Sequence, residues 1–359
     1  MLSSLPKLAD KNFLIGFIMP VLLGATGLLA LLRDLPPFDG IYRSLLSTDD
    51  FTKLTIVVLT LWAVAILLLL LNLLLYRVLE GYIGPFNRGG WRNTMQDRYI
   101  AQRNELAATR AIVTRRDIIV SDALKRDYDR GVLKFGQTWP MRRSMVLPTR
   151  FGNVIRAVES YPQALYGIEG VSGWLRLQAV ISKDFQGLVD DARAQADFFV
   201  NIWLFSCLFA LTATARCVLR TWTGSPDWHW ILIHAWGYAL AAAAGIVAAW
   251  LAYGRAIDRA SAWGDLVKSA FDLYLPALAQ QMGYSLPDTA AQRQRFWGAV
   301  SSEFLYQIRM TPELWPRAKS DNAAARDATV PRMADDTPDD NDGDGDDRDD
   351  APRAGARVV

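Results

Sequence analysis

The run LTIVVLTLWAVAILLLLLNLLLY, Leu54–Tyr76, carries no charged side chain until Arg77 closes it. A helix rises about 1.5 Å per residue, so this run crosses the roughly 30 Å hydrocarbon layer of a bilayer with some tilt to spare. A soluble core has no use for a helix that is apolar on every side over that length, so the run reads as a membrane span.

Composition alone hides this, because 359 residues with 51% hydrophobic content, 21% charged residues and a net charge of +2 would pass for a soluble protein. The apolar residues gather in four runs and the charges lie between them, which is the partition a bilayer imposes. Phe13–Leu32, FLIGFIMPVLLGATGLLALL, is the first run. Pro20 removes a backbone donor, so a kink is expected near Gly16–Pro20, with a neighbouring helix satisfying the freed carbonyl. A cleaved signal peptide fits this segment less well, since the run exceeds a signal core and no small-residue cleavage site follows it.

Ser47–Asp50 offers a helix start before the Leu54–Tyr76 span, which is expected to continue through Arg77 and Glu80 until Gly84–Asn87 breaks it. From Thr94 to about Arg130 the pattern is amphipathic and helical, and Leu133–Tyr161 is irregular and basic, with a short helix over about Gly152–Ser160. A further amphipathic stretch leads through Ser182–Phe198 into the third span, about residues 198–215. The hairpin RTWTGSPDWHW turns the chain into the fourth, about 231–253. Amphipathic helices follow over 255–275 and from about Pro287, and the fold is expected to end near Trp315.

The expected fold is therefore all-α: a polytopic membrane protein with two transmembrane hairpins, a helical cytosolic module and a disordered acidic tail. Its regions are residues 1–82, the first hairpin; 83–197, a basic helical region; 198–254, the second hairpin; 255–316, C-terminal helices; and 317–359, the tail. The tail, with DDTPDDNDGDGDDRDD at its centre, has too little apolar content to offset the entropy of ordering. Asp340, Asp342, Asp344 and Gly345 have calcium-loop spacing, but Ala351 stands at the closing position that requires Glu.

Between residues 77 and 197 there are nineteen Lys and Arg against thirteen Asp and Glu. Basic residues near the membrane ends, among them Lys7, Lys11, Arg77, Arg88, Arg92, Arg193, Arg255 and Arg259, place this segment and both termini on the cytoplasmic side. Trp222, Trp228, Trp230 and Trp236 form the aromatic belt at the opposite boundary.

No hydrolase elbow, phosphate-cradling glycine loop, HExxH helix or paired-cysteine motif occurs, so no catalytic residue, cofactor or metal ligand is assigned. Cys207 and Cys217 read as small apolar residues, and His229 and His234 are the only histidines. The candidate binding residues are Arg142, Arg143, Arg150 and Arg156, interleaved with Trp139, Phe151 and Asn153. Clustered guanidinium groups hold phosphate bidentately, and the helix start near Gly152 would add backbone donors. A nucleotide, nucleic acid or anionic lipid headgroup fits that chemistry; ion pairing of these arginines with Glu159 and Glu169 is the structural alternative.

Within the spans no Asp, Glu, Lys or Arg sits at mid-depth, and Asn72 and Asn201 are the strongest polar groups. They suit interhelical hydrogen bonds or a pore lining. Gly237, Ala241, Gly245 and Ala249 recur every four residues and form a small-residue stripe for close helix packing, within the chain or in a homo-oligomer.

The segments LPTRFGNVIRAVESYPQALYGIEGV, Leu147–Val171, and FDLYLPALAQQMGYSLP, Phe271–Pro287, resemble sequences of bacterial membrane proteins of unknown function. The resemblance covers the cytosolic parts better than the spans and implies a bacterial inner-membrane protein. The layout of two hairpins, each followed by cytosolic helices, is similar in architecture alone to bestrophin-type channels, whose ligand and gate motifs are not visible in this chain. The functional expectation is an oligomeric channel or membrane effector gated through the basic module by an anionic ligand, nucleic acid or cytosolic protein. A non-conducting scaffold that recruits a cytosolic partner is the alternative.

Overall fold

The computed structural model describes residues 10–36, 38–40, 43, 51–84, 90–115, 117, 119–223 and 228–308. The chain divides into two units, Met1–Arg317 and Ala318–Val359. The expected acidic tail, the Ser47–Asp50 helix start, Arg88, and the side chains of Trp228, His229, Trp230 and His234 lie outside the described residues.

Among the described residues the elements are helical: α1 (Lys11–Leu32, with a π-helical turn over Leu14–Ile18), α2 (Phe51–Glu80), α3 (Trp91–Val113), α4 (Asp122–Thr138), α5 (Arg150–Leu165), α6 (Gly170–Leu177), α7 (Lys183–Thr223), α8 (Trp228–Gln281) and α9 (Ala290–Tyr306). Four of them, α1, α2, α7 and α8, are long and apolar enough to cross a membrane. Among the described residues the fold is all-helical, with four helices that could span a membrane.

The third and fourth spans are not separate elements. α7 has 41 residues and α8 has 54, so both run unbroken from the apolar segment into the module. No Gly or Pro interrupts α7 after Gly187, so its acidic-to-apolar switch at Asp197–Phe198 changes the environment without breaking the backbone ladder. At about 1.5 Å per residue α8 is about 80 Å long, more than twice the hydrocarbon thickness.

Most of α2 is bare. Its buried positions are Ala65, Leu68, Asn72, Leu75 and Leu79, spaced alternately three and four residues apart. That is the spacing of a single helix-packing seam, which a uniformly apolar sequence conceals. α2 ends at Glu80, followed by Gly81, whose φ of +85° suits a residue without a side chain, so the break comes before the expected one at Gly84–Asn87.

Two cores lie along the α7–α8 hairpin. At the membrane end, Phe13, Phe17 and Val21 of α1, Leu75 and Leu79 of α2, Phe151 and Val154 of α5, Val200 of α7, and Ala256 and Ala260 of α8 pack together. Farther out, Ile168, Leu177, Val267, Phe271, Phe296, Trp297 and Val300 form the core of the module. A third, small cluster of Met95, Tyr99, Trp139 and Val146 holds the base of the α3–α4 hairpin.

The amphipathic stretch expected as one helix over Thr94–Arg130 is two antiparallel helices. Ser121 caps the second by accepting from the Leu124 N–H at 3.3 Å, a local start signal that outcompetes continuation. The basic stretch expected to be irregular holds the end of α4 and most of α5, which extends beyond Gly152–Ser160 at both ends and carries Pro162 inside its last turn.

Candidate functional site

The first residues of α5 meet the last residues of α2. Thr149 caps α5: its hydroxyl accepts from the Gly152 N–H at 3.0 Å and donates to the Leu79 carbonyl at 2.6 Å. One side chain thus serves an orphan donor of one helix and an orphan acceptor of the other. Asn153, fully buried, fixes the approach: its Oδ1 accepts from the Leu147 N–H at 2.7 Å, and its Nδ2 donates to the carbonyls of Leu147 at 3.0 Å and Thr149 at 2.8 Å. The Phe151 N–H donates to the Tyr253 hydroxyl at 3.4 Å. The backbone donors expected to assist an anion at this helix start are therefore engaged within the fold. Phe151 and Trp139 are core residues, with the Trp139 indole donating to Gln102 Oε1 at 2.6 Å.

The four arginines take different positions. Arg150 is exposed, immediately after the Thr149 cap, and forms a wall common to two cavities. One, of about 350 Å³, is apolar and lined by Trp91, Trp203, Trp250, Leu79 and Tyr253 where the spans meet the module. The other, of about 840 Å³, runs between α3 and α4 and presents Arg98, Lys134 and Gln102 together with Glu105 and Asp127. Met95 also borders both.

Arg156 lies about 120° around α5 from Arg150. It pairs with Glu159 at 3.0 Å, hydrogen-bonds the Tyr82 hydroxyl and sits 6.0 Å from that ring's centroid. Burial pushes the Glu159 carboxyl above its ordinary value, although Arg156 acts in the opposite direction. Glu169 caps α6, accepting from the N–H groups of Val171 at 3.1 Å and Ser172 at 2.7 Å. Burial opposes its ionisation, but the hydrogen bonds from Ser172 and Val171 outweigh burial and hold its carboxyl below the usual range. Arg142 and Arg143 are exposed at the 3₁₀ turn Arg143–Met145, where the Arg143 carbonyl accepts from Gln96 Nε2 at 3.4 Å.

Arg98 and Lys134 share the larger cavity with Arg150, and sequence reasoning did not single them out. The signal was present: Met95, Arg98, Gln102 and Leu106 on α3, and Leu124, Tyr128, Gly131 and Phe135 on α4, are spaced to line one face each. Reading α3 and α4 as one helix kept those faces from being set against each other.

In the spans, Asn201 Nδ2 donates to the Gly16 carbonyl at 2.7 Å. That is the carbonyl which Pro20, lacking an N–H, leaves without its i+4 partner. Asn72 Nδ2 donates to Asp197 Oδ1 at 3.1 Å, and the Tyr76 hydroxyl donates to the same oxygen at 2.8 Å. Both asparagines thus make interhelical bonds. Asp197 and Arg216, each 5% exposed, lie nineteen residues apart on α7. They are about 28 Å apart along the axis and bracket the apolar segment. Arg216 donates to the Tyr238 hydroxyl at 2.7 Å and lies 3.5 Å from Asp34. Hydropathy places both at span ends, but their burial is invisible to it.

The small-residue stripe divides. A Cβ on Gly245 would lie 2.9 Å from the Ala210 Cβ, so α7 and α8 approach closely there, within one chain. Ala241 and Ala249 are half-buried, and Ala249 borders the apolar cavity. Gly237 is exposed, with nothing within 4 Å of an added Cβ. Comparison of the chain with protein-family models, curated proteins and solved structures finds no match.

Proposed function

We propose that this membrane protein is an oligomeric channel or membrane effector whose module takes an anionic ligand at Arg150. The charge balance near the span ends supports placing both termini in the cytoplasm, and the resemblance of Leu147–Val171 and Phe271–Pro287 to bacterial membrane proteins supports a bacterial inner membrane. The observation that carries the proposal is the position of Arg150. It adjoins the Thr149 hydroxyl that binds the end of α2, and it borders both a tryptophan-lined cavity at the membrane boundary and a larger cavity with two further cations. An anion drawn to Arg150, Arg98 and Lys134 bears on the α2–α5 contact, and through it on a span.

Single-channel recording from purified protein in planar bilayers tests this, with a panel of nucleotides, short nucleic acids and anionic lipids. Ligand-dependent currents that disappear in Arg150→Glu are the expected result. Silence across the panel from folded, oligomeric protein favours the scaffold. That second reading draws on the α3–α4 hairpin, which leaves Ile112, Ile119, Val132 and Leu133 exposed for a partner.

A further inference from the structure

We infer that α1, α2 and α7 build a binding site for a small monovalent cation, of which sodium is the type, around the buried carboxylate of Asp197. Three observations converge there. Asp197 is 5% exposed, and both hydrogen bonds it receives, from Asn72 Nδ2 and the Tyr76 hydroxyl, fall on Oδ1. A carboxylate in that setting calls for a positive partner. The nearest guanidinium, Arg193, brings Nε only to 3.9 Å of Oδ2, too long for a hydrogen bond, and its side chain is 55% exposed.

The second observation is a surplus of buried acceptors. Asn72 faces a carboxylate and Asn201 faces a carbonyl, and both partners only accept, so each amide must present its nitrogen there. Each amide is left with an Oδ1 that is buried and has no hydrogen-bond partner among the described residues, the two residues being 7% and 0% exposed. Asn12, four residues before Gly16, carries another such oxygen.

The third is the way the two bonded pairs adjoin. Asp197 and Asn201 are one turn apart on one face of α7. Gly16, which accepts from Asn201, is so close that an added Cβ would lie 3.5 Å from the Asp197 Cβ and 3.4 Å from the Ala194 carbonyl oxygen. Gly16 belongs to the π-helical turn of α1, an irregularity frequent at functional sites. Unpartnered neutral amide oxygens on residues bonded to or adjoining a single carboxylate suit a hard cation of one charge; a divalent ion draws on more carboxylates than the one present.

The test is the thermal unfolding midpoint of the purified full chain in detergent, compared in sodium, potassium and choline chloride at equal pH and ionic strength, with direct binding of radiolabelled sodium. The expected result is a midpoint about 2–4 °C higher in sodium than in choline, saturating with concentration. About one sodium should bind per chain. Both effects disappear in Asp197→Asn, and Arg193→Gln, which removes the competing cation, tightens sodium binding severalfold. Equal midpoints and no bound sodium in the wild-type protein overturn the inference, as does a sodium effect that survives in Asp197→Asn. If that variant does not fold, the wild-type measurements decide by themselves.

Discussion

Gly152 has no room for a side chain, because a Cβ there would stand 2.5 Å from the Glu80 carbonyl oxygen and 2.9 Å from its Cα. Both are backbone atoms that cannot turn aside. Gly152→Ala is therefore expected to cost about 1–3 kcal/mol, read as a lowered unfolding midpoint in detergent. The pairing of Asn201 with the Gly16 carbonyl gives a double-mutant cycle. Asn201→Ala removes the side-chain donor to that buried carbonyl, a loss of about 1–3 kcal/mol. Pro20→Ala restores an N–H four residues on, so adding it should recover part of the loss; strict additivity would refute the assignment. Half of this pair was legible in the sequence, since proline removes a known donor. The identity of the donor that replaces it required the fold, which brings residues 185 apart into contact.

At the scale of elements, α5 crosses α8 where Gly264 faces Val158, and an added Cβ at 264 would lie 2.2 Å from the Val158 Cγ2. The obstacle is a side chain, so the clash is removable. Gly264→Ala should destabilise by about 1–3 kcal/mol, and Val158→Ala in the same chain should relieve part of it, measured by unfolding of the single and double variants. The elements themselves were unequally legible. Spans announced themselves by length and absence of charge. The division between α3 and α4 rested on a Ser121–Asp122 start within a pattern that otherwise kept helical spacing. The cavity between those helices was lost with it, because a groove exists only once two faces are known to oppose each other.

Across the whole molecule, spans and module share helices. Amide exchange along α8 should show continuous protection from residue 241 to residue 275, with no opening at Tyr253–Arg255; a fast-exchanging segment there would contradict the unbroken helix. The module also ties α5 to α8 through Asp272, which accepts from the hydroxyls of Tyr161 at 2.9 Å and Tyr166 at 2.6 Å. Burial, and then the hydrogen bond to Asp272, push the Tyr161 phenol from its ordinary value near 10 up to about 12, and Tyr166 is raised for the same reasons. The folded state holds these protons more tightly than the unfolded chain. Their contribution is complete below about pH 10 and is lost as pH rises towards about 12. Tyr161→Phe should make stability less steep across that alkaline range, as followed by unfolding at a series of pH values. Sequence spacing gave no hint of this triad, whose members are 106 and 111 residues apart.

The length of α8 carries a mechanical consequence. About 28 of its residues extend past Tyr253, a rigid arm of about 40 Å. Rotating the fourth span by about 10° within the bilayer would sweep the far end of that arm through about 7 Å, more than one full turn of helix. A helix of that length couples any tilt of its apolar segment to a larger displacement at its module end.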